Sequence, residues 1–282
     1  RRPRPPWRVC ARIHSTSMTQ TLPPAPSPNA AVPVDMISPV RWIEKGWDDL
    51  RANPVPGLVH GALITLFGWL LMWAAREKFW LLAGAFSGFL IVAPVLATGL
   101  YHVSRERAAG RMAGLGDVLV LWRSFDGRLV RFGLLLGLAG TGWVLTSAGL
   151  ITLWSEVPIN KPVDFLKHVV LVREPGLFEV WLLMGSLLAA PVFASSVVAI
   201  PMLVDKSVPV SMAVTASWRA VADHPGPLVW WAVLIGMLFG MGLITALLGL
   251  IVVIPLVAHA SWHAYRDLCP ETSISSPTAP AA

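Results

Sequence analysis

Long apolar runs separated by short charged segments dominate the middle of this chain, and they determine its expected architecture. Four runs have the length of a membrane helix, at 57–75, 79–101, 132–154 and 180–204, and 35 further residues without charge follow at 228–262. A membrane-crossing helix needs about 20 mainly apolar residues, so the last run predicts two crossings and each of the others one. We place the turn between those two helices near residues 240–245. The predicted fold is an all-α polytopic membrane protein with six transmembrane helices in three hairpins.

Three shorter segments, 40–53, 115–122 and 205–225, are amphipathic, and one stands before each predicted hairpin. The apolar stripe of the first consists of Val40, Ile43, Trp47 and Leu50, and that of the third consists of Met212, Thr215, Trp218 and Val221. Intervals of three and four residues place each stripe on one side of a helix. We therefore expect interfacial helices lying on the membrane surface, with their stripes toward the lipid.

The ends of the first and last hairpins repeat each other. Aligned on their prolines, they pair Pro94 with Pro255, Tyr101 with Trp262, His102 with His263 and Arg105 with Arg266. A weaker middle copy spans 117–206 and has Pro201 near its end. Internal duplication is common among membrane proteins of several classes, so the repeat predicts an architecture and leaves the activity open.

The two ends of the chain differ from its centre in composition. Residues 1–38 are rich in Pro, Ala and Ser, and they predict a disordered tail. Within it we expect residues 1–17 to lie upstream of the true start at Met18, the alternative being a basic transit peptide. The six-helix membrane domain is expected over 39–268, followed by a disordered C-terminal tail over 269–282.

Composition and charge agree with a membrane protein and predict its orientation. The chain is 55% hydrophobic and 13% charged, about half the charged fraction of average soluble domains. Its net charge of +6 comes from loops, so we do not expect nucleic-acid binding. From Met18 onward, twelve Lys and Arg residues fall on the side that holds both termini and five on the other. The positive-inside rule therefore places both termini in the cytoplasm.

Two stretches, PMLVDKSVPVSMAVTASWRAV and GLIVVIPLVAHASWHAYRDL, resemble an uncharacterised bacterial integral-membrane family, domain of unknown function 2189. The resemblance covers Trp42 to Leu268. The residues that carry it are Pro94, Gly99, Leu100, Tyr101, Ser104, Arg105, Phe193, Pro201, Met202, Gly249, Pro255, His259, Ala260, Trp262, His263, Tyr265 and Arg266. The resemblance implies a bacterial inner membrane and a helical bundle. The family has no established activity, although some members carry descriptions that point to respiratory oxidases.

Histidines near the hairpin ends are the candidate cofactor ligands. His259 and His263 are four residues apart and share one helix face, and His102 occupies the repeat-equivalent place in the first hairpin. Imidazoles converging from two helices are suited to haem iron or a divalent metal. Two alternatives stay open, a purely structural role at the membrane interface and a proton relay. His60, inside the first span, is a further candidate.

No nucleophile elbow, Walker motif or zincin motif occurs, so we expect a non-enzymatic protein that needs no cofactor. Our leading hypothesis is a scaffold or accessory subunit that binds a membrane complex, with a respiratory oxidase as the candidate partner. A second copy of the chain is a further candidate partner. The alternatives are a channel or transporter for a small solute, with Pro94 and Pro255 as helix-breaking elements, and a haem protein that uses His102, His259 and His263.

The interface or structural motif comprises Pro94, Tyr101, Arg105, Pro201, Pro255, Trp262, Tyr265 and Arg266.

Overall fold

The computed structural model describes residues 33–74, 76, 96–123, 126–155, 157–171 and 176–270, and these residues form helices and connecting turns without a β-strand. The helices are α1 (Ser38–Ala52), α2 (Pro54–Ala74), α3 (described over 96–108), α4 (Leu115–Arg123), α5 (Gly127–Trp154), α6 (Pro162–Phe165), α7 (Leu177–Ser196), α8 (Ala199–Asp205), α9 (Val210–Asp223), α10 (Pro225–Ile244) and α11 (Leu250–Leu268). The predicted all-α class is confirmed.

Four segments of the described chain are long and apolar enough to cross a membrane: Pro54–Ala74, Gly127–Trp154, Leu177–Asp205 and Pro225–Ile244. They coincide with four of the predicted spans and agree with a multi-pass membrane protein. Most of the predicted second span lies outside the described residues. α11 is less apolar, because its C-terminal half carries two histidines, an arginine and an aspartate.

The turn between α10 and α11 occupies residues 245–249, a few residues later than predicted, because α10 continues to Ile244. Ala246 and Leu247 adopt the left-handed conformation that non-glycine residues rarely take, with φ of 52° and 71°. Side chains of α2 hold this backbone in place. Trp69 Nε1 donates to the carbonyl of Ala246 at 2.7 Å, and Thr65 Oγ1 donates to that of Leu247 at 3.2 Å.

α1 confirms the predicted amphipathic helix, but its buried face includes only Leu50 of the predicted stripe. The side chain of Trp42 is fully buried, whereas Val40 and Trp47 are each 42% exposed. Trp42 Nε1 donates to Asp267 Oδ2 at 2.8 Å, so the buried face of α1 lies against α11. The apolar stripe predicted only that one face of α1 avoids water. In the structure, α1 contacts α11 mainly through another face.

The same difference appears in α9. Its buried residues are Ala213, Ser217 and Ala220, whereas Met212 and Trp218 of the predicted stripe are exposed. Small side chains on the buried face allow α9 to pack closely against its neighbours. Ser217 Oγ also accepts a hydrogen bond of 3.1 Å from the backbone N–H of Val198. Val198 lies in the short non-helical connection between α7 and α8.

The segment 155–179, predicted as a loop, contains helical structure. α6 continues into one π-helical turn, Leu166–Val170. Ile159 and Val169 are buried with Ile151 of α5 and Leu177 of α7. These apolar contacts pack the described part of the segment against α5 and α7.

The core of the bundle lies where α1, α10 and α11 meet. Its largest fully buried side chains are Trp42, Trp231, Trp262 and Tyr265. Trp42 and Trp231 contact edge to face with 5.7 Å between ring centroids, an arrangement that aromatic pairs favour. α2 also packs against α11 through glycines, and this contact positions the candidate site.

Candidate functional site

A buried carboxylate, Asp49 of α1, organises a polar cluster between α1, α3 and α11. The residue is 5% exposed. Ser104 Oγ donates to Asp49 Oδ2 at 2.6 Å, and Arg107 Nη1 donates to Oδ1 at 2.7 Å. His263 Nε2 lies 2.9 Å from Oδ2. Three donors from two helices therefore satisfy one carboxylate.

The surroundings of Asp49 keep it ionised. Burial raises the pKa of this carboxyl group, but hydrogen bonds from His263 and Ser104 lower it by more, and the net pKa lies below its usual value. A buried charge is stable only where partners compensate for the lost hydration, and Arg107 supplies the opposite charge. Asp49 is therefore an anion at neutral pH.

His259, one of the predicted ligands, is fully buried in α11 beside this cluster. Its Nδ1 lies 2.7 Å from Ser104 Oγ, so a continuous hydrogen-bonded chain runs from His259 through Ser104 to Asp49. His263, one helical turn later, binds the same carboxylate directly. The structure thus brings His259 and His263 into one network, as their spacing predicts, with Asp49 between them.

His60 of α2 is also buried. Its Nδ1 is 2.6 Å from the carbonyl oxygen of Pro56, in the preceding turn of the helix. The ring meets Trp122 of α4 edge to face, with 5.1 Å between centroids. Gly99 of α3 is also close, since a Cβ built there would lie 3.1 Å from His60 Nε2.

His102 belongs to a different network. Its Nδ1 is 3.0 Å from Arg105 Nη2 and 3.9 Å from Glu106 Oε1, all within α3. In the described part of the chain, its polar contacts are with these two residues of its own helix and not with His259 or His263. The structure therefore joins His259 and His263 to the polar cluster and places His102 in a different network; haem binding through His102, His259 and His263 stays a prediction.

The other motif residues occupy structural positions at one end of the bundle. Tyr101, Trp262, Pro201 and Pro255 are buried, and Pro94 lies outside the described residues. Tyr265 donates to Asp205 Oδ2 at 2.7 Å. Arg266 lies 3.9 Å from the same carboxylate, and Arg105 donates to the Val204 carbonyl at 3.5 Å. The two arginines paired by the repeat therefore both contact the C-terminal end of α8.

Asp49 and Ser104 illustrate what sequence reasoning missed. Ser104 was named only as a residue of the family resemblance, and Asp49, which follows the exposed Asp48, was not singled out. One signal separates that pair, because Trp42, Gly46 and Asp49 follow the helical intervals four and three. Asp49 thus shares a face with a tryptophan and a glycine, which suggests burial.

A cavity of about 560 Å³ lies away from the histidines, between α8, α9 and the end of α11. Its lining includes Met202, Arg219, Asp223 and His224. None of the predicted ligands lines it. Among the described residues, no group of three or more His, Cys, Asp or Glu side chains has an arrangement suited to a metal ion.

Comparison with known proteins identifies part of the chain. No curated protein and no solved structure matches it significantly. Residues 81–205 match the family model described as "Predicted integral membrane protein (DUF2189)". This segment is shorter than the resemblance from Trp42 to Leu268, and it includes α4, α5, α7 and α8 but not α11. Residues 81–205 are thus similar to DUF2189, the membrane family that the sequence motifs also resemble.

Proposed function

We propose that this protein is a non-enzymatic scaffold or accessory subunit that binds the transmembrane helices of a larger complex in the bacterial inner membrane. The proposal includes six spans in three duplicated hairpins, with both termini in the cytoplasm. A respiratory oxidase is the partner class that the family resemblance suggests.

One surface feature carries the proposal, a pair of glycines on the outward face of α10. Gly236 and Gly240 stand four residues apart, and a Cβ built on either would meet no atom within 4 Å. Met237, Met241 and Ile244 on the same face are all exposed. Glycines at this spacing let two membrane helices approach closely, so the face suits a partner helix.

Other glycines lie where two helices of this chain pack closely against each other. A Cβ on Gly46 would lie 2.7 Å from the backbone nitrogen of Ala260, and one on Gly57 would lie 2.9 Å from Pro255 Cβ. Internal helix contacts thus depend on glycine at the interface. Gly236 and Gly240 provide the same kind of surface with no internal helix against it in the described chain.

The contacts of the repeat-equivalent arginines support the proposed topology. Arg105 and Arg266 both contact the end of α8, so they lie at the same end of the bundle. This agrees with two hairpins that end on one side of the membrane. The basic residues near that end are those assigned to the cytoplasm by the positive-inside rule.

Photo-cross-linking in native membranes tests the proposal. A photoreactive residue replaces Met237, between the two glycines, and a control replaces Leu66, which is 60% exposed on α2. We expect a discrete adduct with a membrane protein from position 237 and none from position 66. Gly236→Leu is expected to abolish the adduct, because its side chain blocks close approach, whereas Gly142→Leu on α5 leaves it unchanged.

Two outcomes would contradict the scaffold hypothesis. Adducts that contain lipid alone would show that the glycine face has no protein partner. An adduct between two copies of this chain would identify a homo-oligomer, which is a different role for the same surface. The channel and haem alternatives stay predictions. Pro255, one of the two helix-breaking prolines of the channel alternative, packs against Gly57.

A further inference from the structure

The cavity beside α9 combines an apolar inner wall with a charged rim. It has a volume of about 560 Å³, within the range of about 300–1,000 Å³ that is typical of small-molecule sites. Met202 of α8 and Ala220 of α9 are buried in its wall, and Leu268 of α11 also lines it. The rim carries the charged side chains of Arg219 and Asp223. A cavity of this kind suits a ligand that has both an apolar and a charged part.

The polar rim is one row of side chains along α9. Four residues at intervals of four line the cavity and share one face of the helix: Ser211, Thr215, Arg219 and Asp223. All of them are exposed, so the cavity is open along this row. The Arg219 guanidinium and the Ser211 hydroxyl can donate hydrogen bonds, whereas the Asp223 carboxylate can only accept them. The row therefore offers donors and, at its end, an acceptor.

The two charges of this row are not paired within the described chain. Arg219 and Asp223 stand one helical turn apart, where Cβ atoms are about 5–6 Å from each other. No ion pair or hydrogen bond joins their side chains to each other or to another described residue. By contrast, Arg266 and Asp205 at the same end of the bundle lie 3.9 Å apart. A cation and an anion are thus both available to an external group.

α9 lies at the surface of the membrane. The spanning segment Leu177–Asp205 ends shortly before it and the segment Pro225–Ile244 begins shortly after it, so α9 connects two spans at one face of the bilayer. Met212 and Trp218 of α9 are exposed, which is usual for a helix at the level of the lipid headgroups. The cavity is therefore accessible to the polar part of the lipid layer.

These features select a ligand with apolar chains, an anion and a hydrogen-bonding cation close to that anion. A phospholipid with an ethanolamine headgroup has all three, because an ethylene bridge joins its phosphate to a primary ammonium. Arg219 suits the phosphate, since a guanidinium forms charge-assisted hydrogen bonds with phosphate oxygens. Asp223, one turn later, can accept from the ammonium. A choline headgroup has no N–H to donate, and an anionic headgroup without an amine would meet Asp223 as a like charge.

We propose that this cavity binds one phosphatidylethanolamine molecule. Arg219 and Ser211 bind its phosphate, and Asp223 binds its ammonium group. The upper part of an acyl chain lies against Met202 and Leu268. This site goes beyond the scaffold role, and neither depends on the other, because the glycine face of α10 does not line the cavity.

Native mass spectrometry of the full chain tests the site. The protein, purified in detergent and stripped of lipid, is titrated with synthetic phosphatidylethanolamine, phosphatidylglycerol and phosphatidylcholine that carry identical acyl chains. We expect one bound phosphatidylethanolamine per chain, held about 10-fold more tightly than the other two lipids, as one hydrogen bond to a charged group allows. Soluble glycerophosphoethanolamine at the same concentration should not displace the lipid, because it has no chains to bury.

Two substitutions separate the contacts of the headgroup. Arg219→Gln should weaken the binding of each lipid about 10-fold, because all three contain a phosphate. Asp223→Asn should weaken only phosphatidylethanolamine and remove most of its advantage over phosphatidylcholine. Arg123→Gln on α4 and Asp48→Asn on α1 are the matched controls. They remove exposed charges from two other amphipathic helices and should leave the lipid selectivity unchanged.

The lipid series on the wild-type protein decides even if a variant fails to fold. The proposal would be overturned by a wild-type protein that binds none of the lipids, that prefers phosphatidylglycerol or phosphatidylcholine, or that binds the soluble headgroup as tightly as the lipid. Folded Asp223→Asn protein that keeps the full preference for phosphatidylethanolamine would also contradict it. Unfolding temperatures of the variants show whether each one is folded; both substituted residues are exposed, so we expect little change.

Discussion

At the residue scale, this protein is distinguished by a charge placed where membrane proteins rarely keep one. Asp49 is buried beside apolar helices, yet it meets Ser104, Arg107 and His263. A buried ion pair seldom adds stability compared with an apolar core, but removal of one partner leaves the other charge uncompensated. Asp49 therefore has a larger effect on stability than its neighbour in the sequence.

Asp49→Asn should destabilise the folded protein by about 2–3 kcal/mol, because Arg107 loses its counter-charge and hydrogen bonds to a charged group are lost. Asp48→Asn is the matched control, since Asp48 is exposed on the same helix and should change stability by less than about 0.5 kcal/mol. Thermal unfolding in nanodiscs measures both. Equal effects would show that the cluster around Asp49 is not a stabilising centre.

The lowered pKa of Asp49 predicts the pH dependence of stability. A carboxyl group whose pKa is lower in the folded state contributes stability above its unfolded pKa, about 3.8, and loses it as pH falls through the folded value. Unfolding temperatures should therefore drop more steeply below about pH 4 in the wild type than in Asp49→Asn. Parallel curves for the two proteins would contradict the ionised state assigned to this group.

At the element scale, the contact between α2 and α11 depends on glycine. A Cβ on Gly61 would overlap the backbone of Ile251, which cannot move as a flexible side chain can. The φ/ψ of this residue is helical, so the glycine is required for the close approach of another backbone rather than for its own conformation.

Gly61→Ala should separate α2 from α11 and cost about 1–3 kcal/mol, which is typical of overpacking in a tight interface. Gly142→Ala in α5 is the control, because its Cβ would meet nothing within 4 Å and alanine favours a helix. Gly61→Ala should lower the unfolding temperature, whereas Gly142→Ala should leave it unchanged or raise it. A neutral Gly61→Ala would show that the two helices are farther apart than described.

At the scale of the whole molecule, the proposed topology predicts that the two repeat-equivalent arginines lie on the same side of the membrane. Arg105 and Arg266 lie at the same end of the bundle, where both contact α8. If both hairpins end in the cytoplasm, these two positions face the same compartment. The repeat and the six-span arrangement depend on that equivalence.

The test uses two cysteine variants, Arg105→Cys and Arg266→Cys, in a chain whose own cysteines are removed by Cys10→Ser and Cys269→Ser. Both variants should react with a membrane-impermeant thiol reagent in inverted vesicles. Neither should react in right-side-out spheroplasts, because the reagent cannot cross the bilayer. Lys78→Cys, assigned to the opposite side, is the control and should show the reverse pattern. Opposite sidedness of positions 105 and 266 would contradict the proposed topology.

The helical membrane architecture could be predicted from the order of residues alone, because a span requires only a local run of about 20 apolar residues. Four spans, the amphipathic α1, α4 and α9, and the turn before α11 were all predictable to within a few residues. The similarity of residues 81–205 to DUF2189 agrees with the resemblance that short sequence motifs suggested. Each of these features depends on residues that are close together in the chain.

Which side chains meet depends on how the helices pack. His102 was expected beside His259 and His263, but it contacts Arg105 of its own helix, and the bundle brings Ser104 and Asp49 to the two other histidines instead. The buried faces of α1 and α9 likewise differ from their most apolar stripes. The physical reason is that lipid and protein both accept apolar side chains, so hydropathy does not specify which face of a helix meets another helix. Helix rotation and the glycine contacts of α11 with α1 and α2 supply that information.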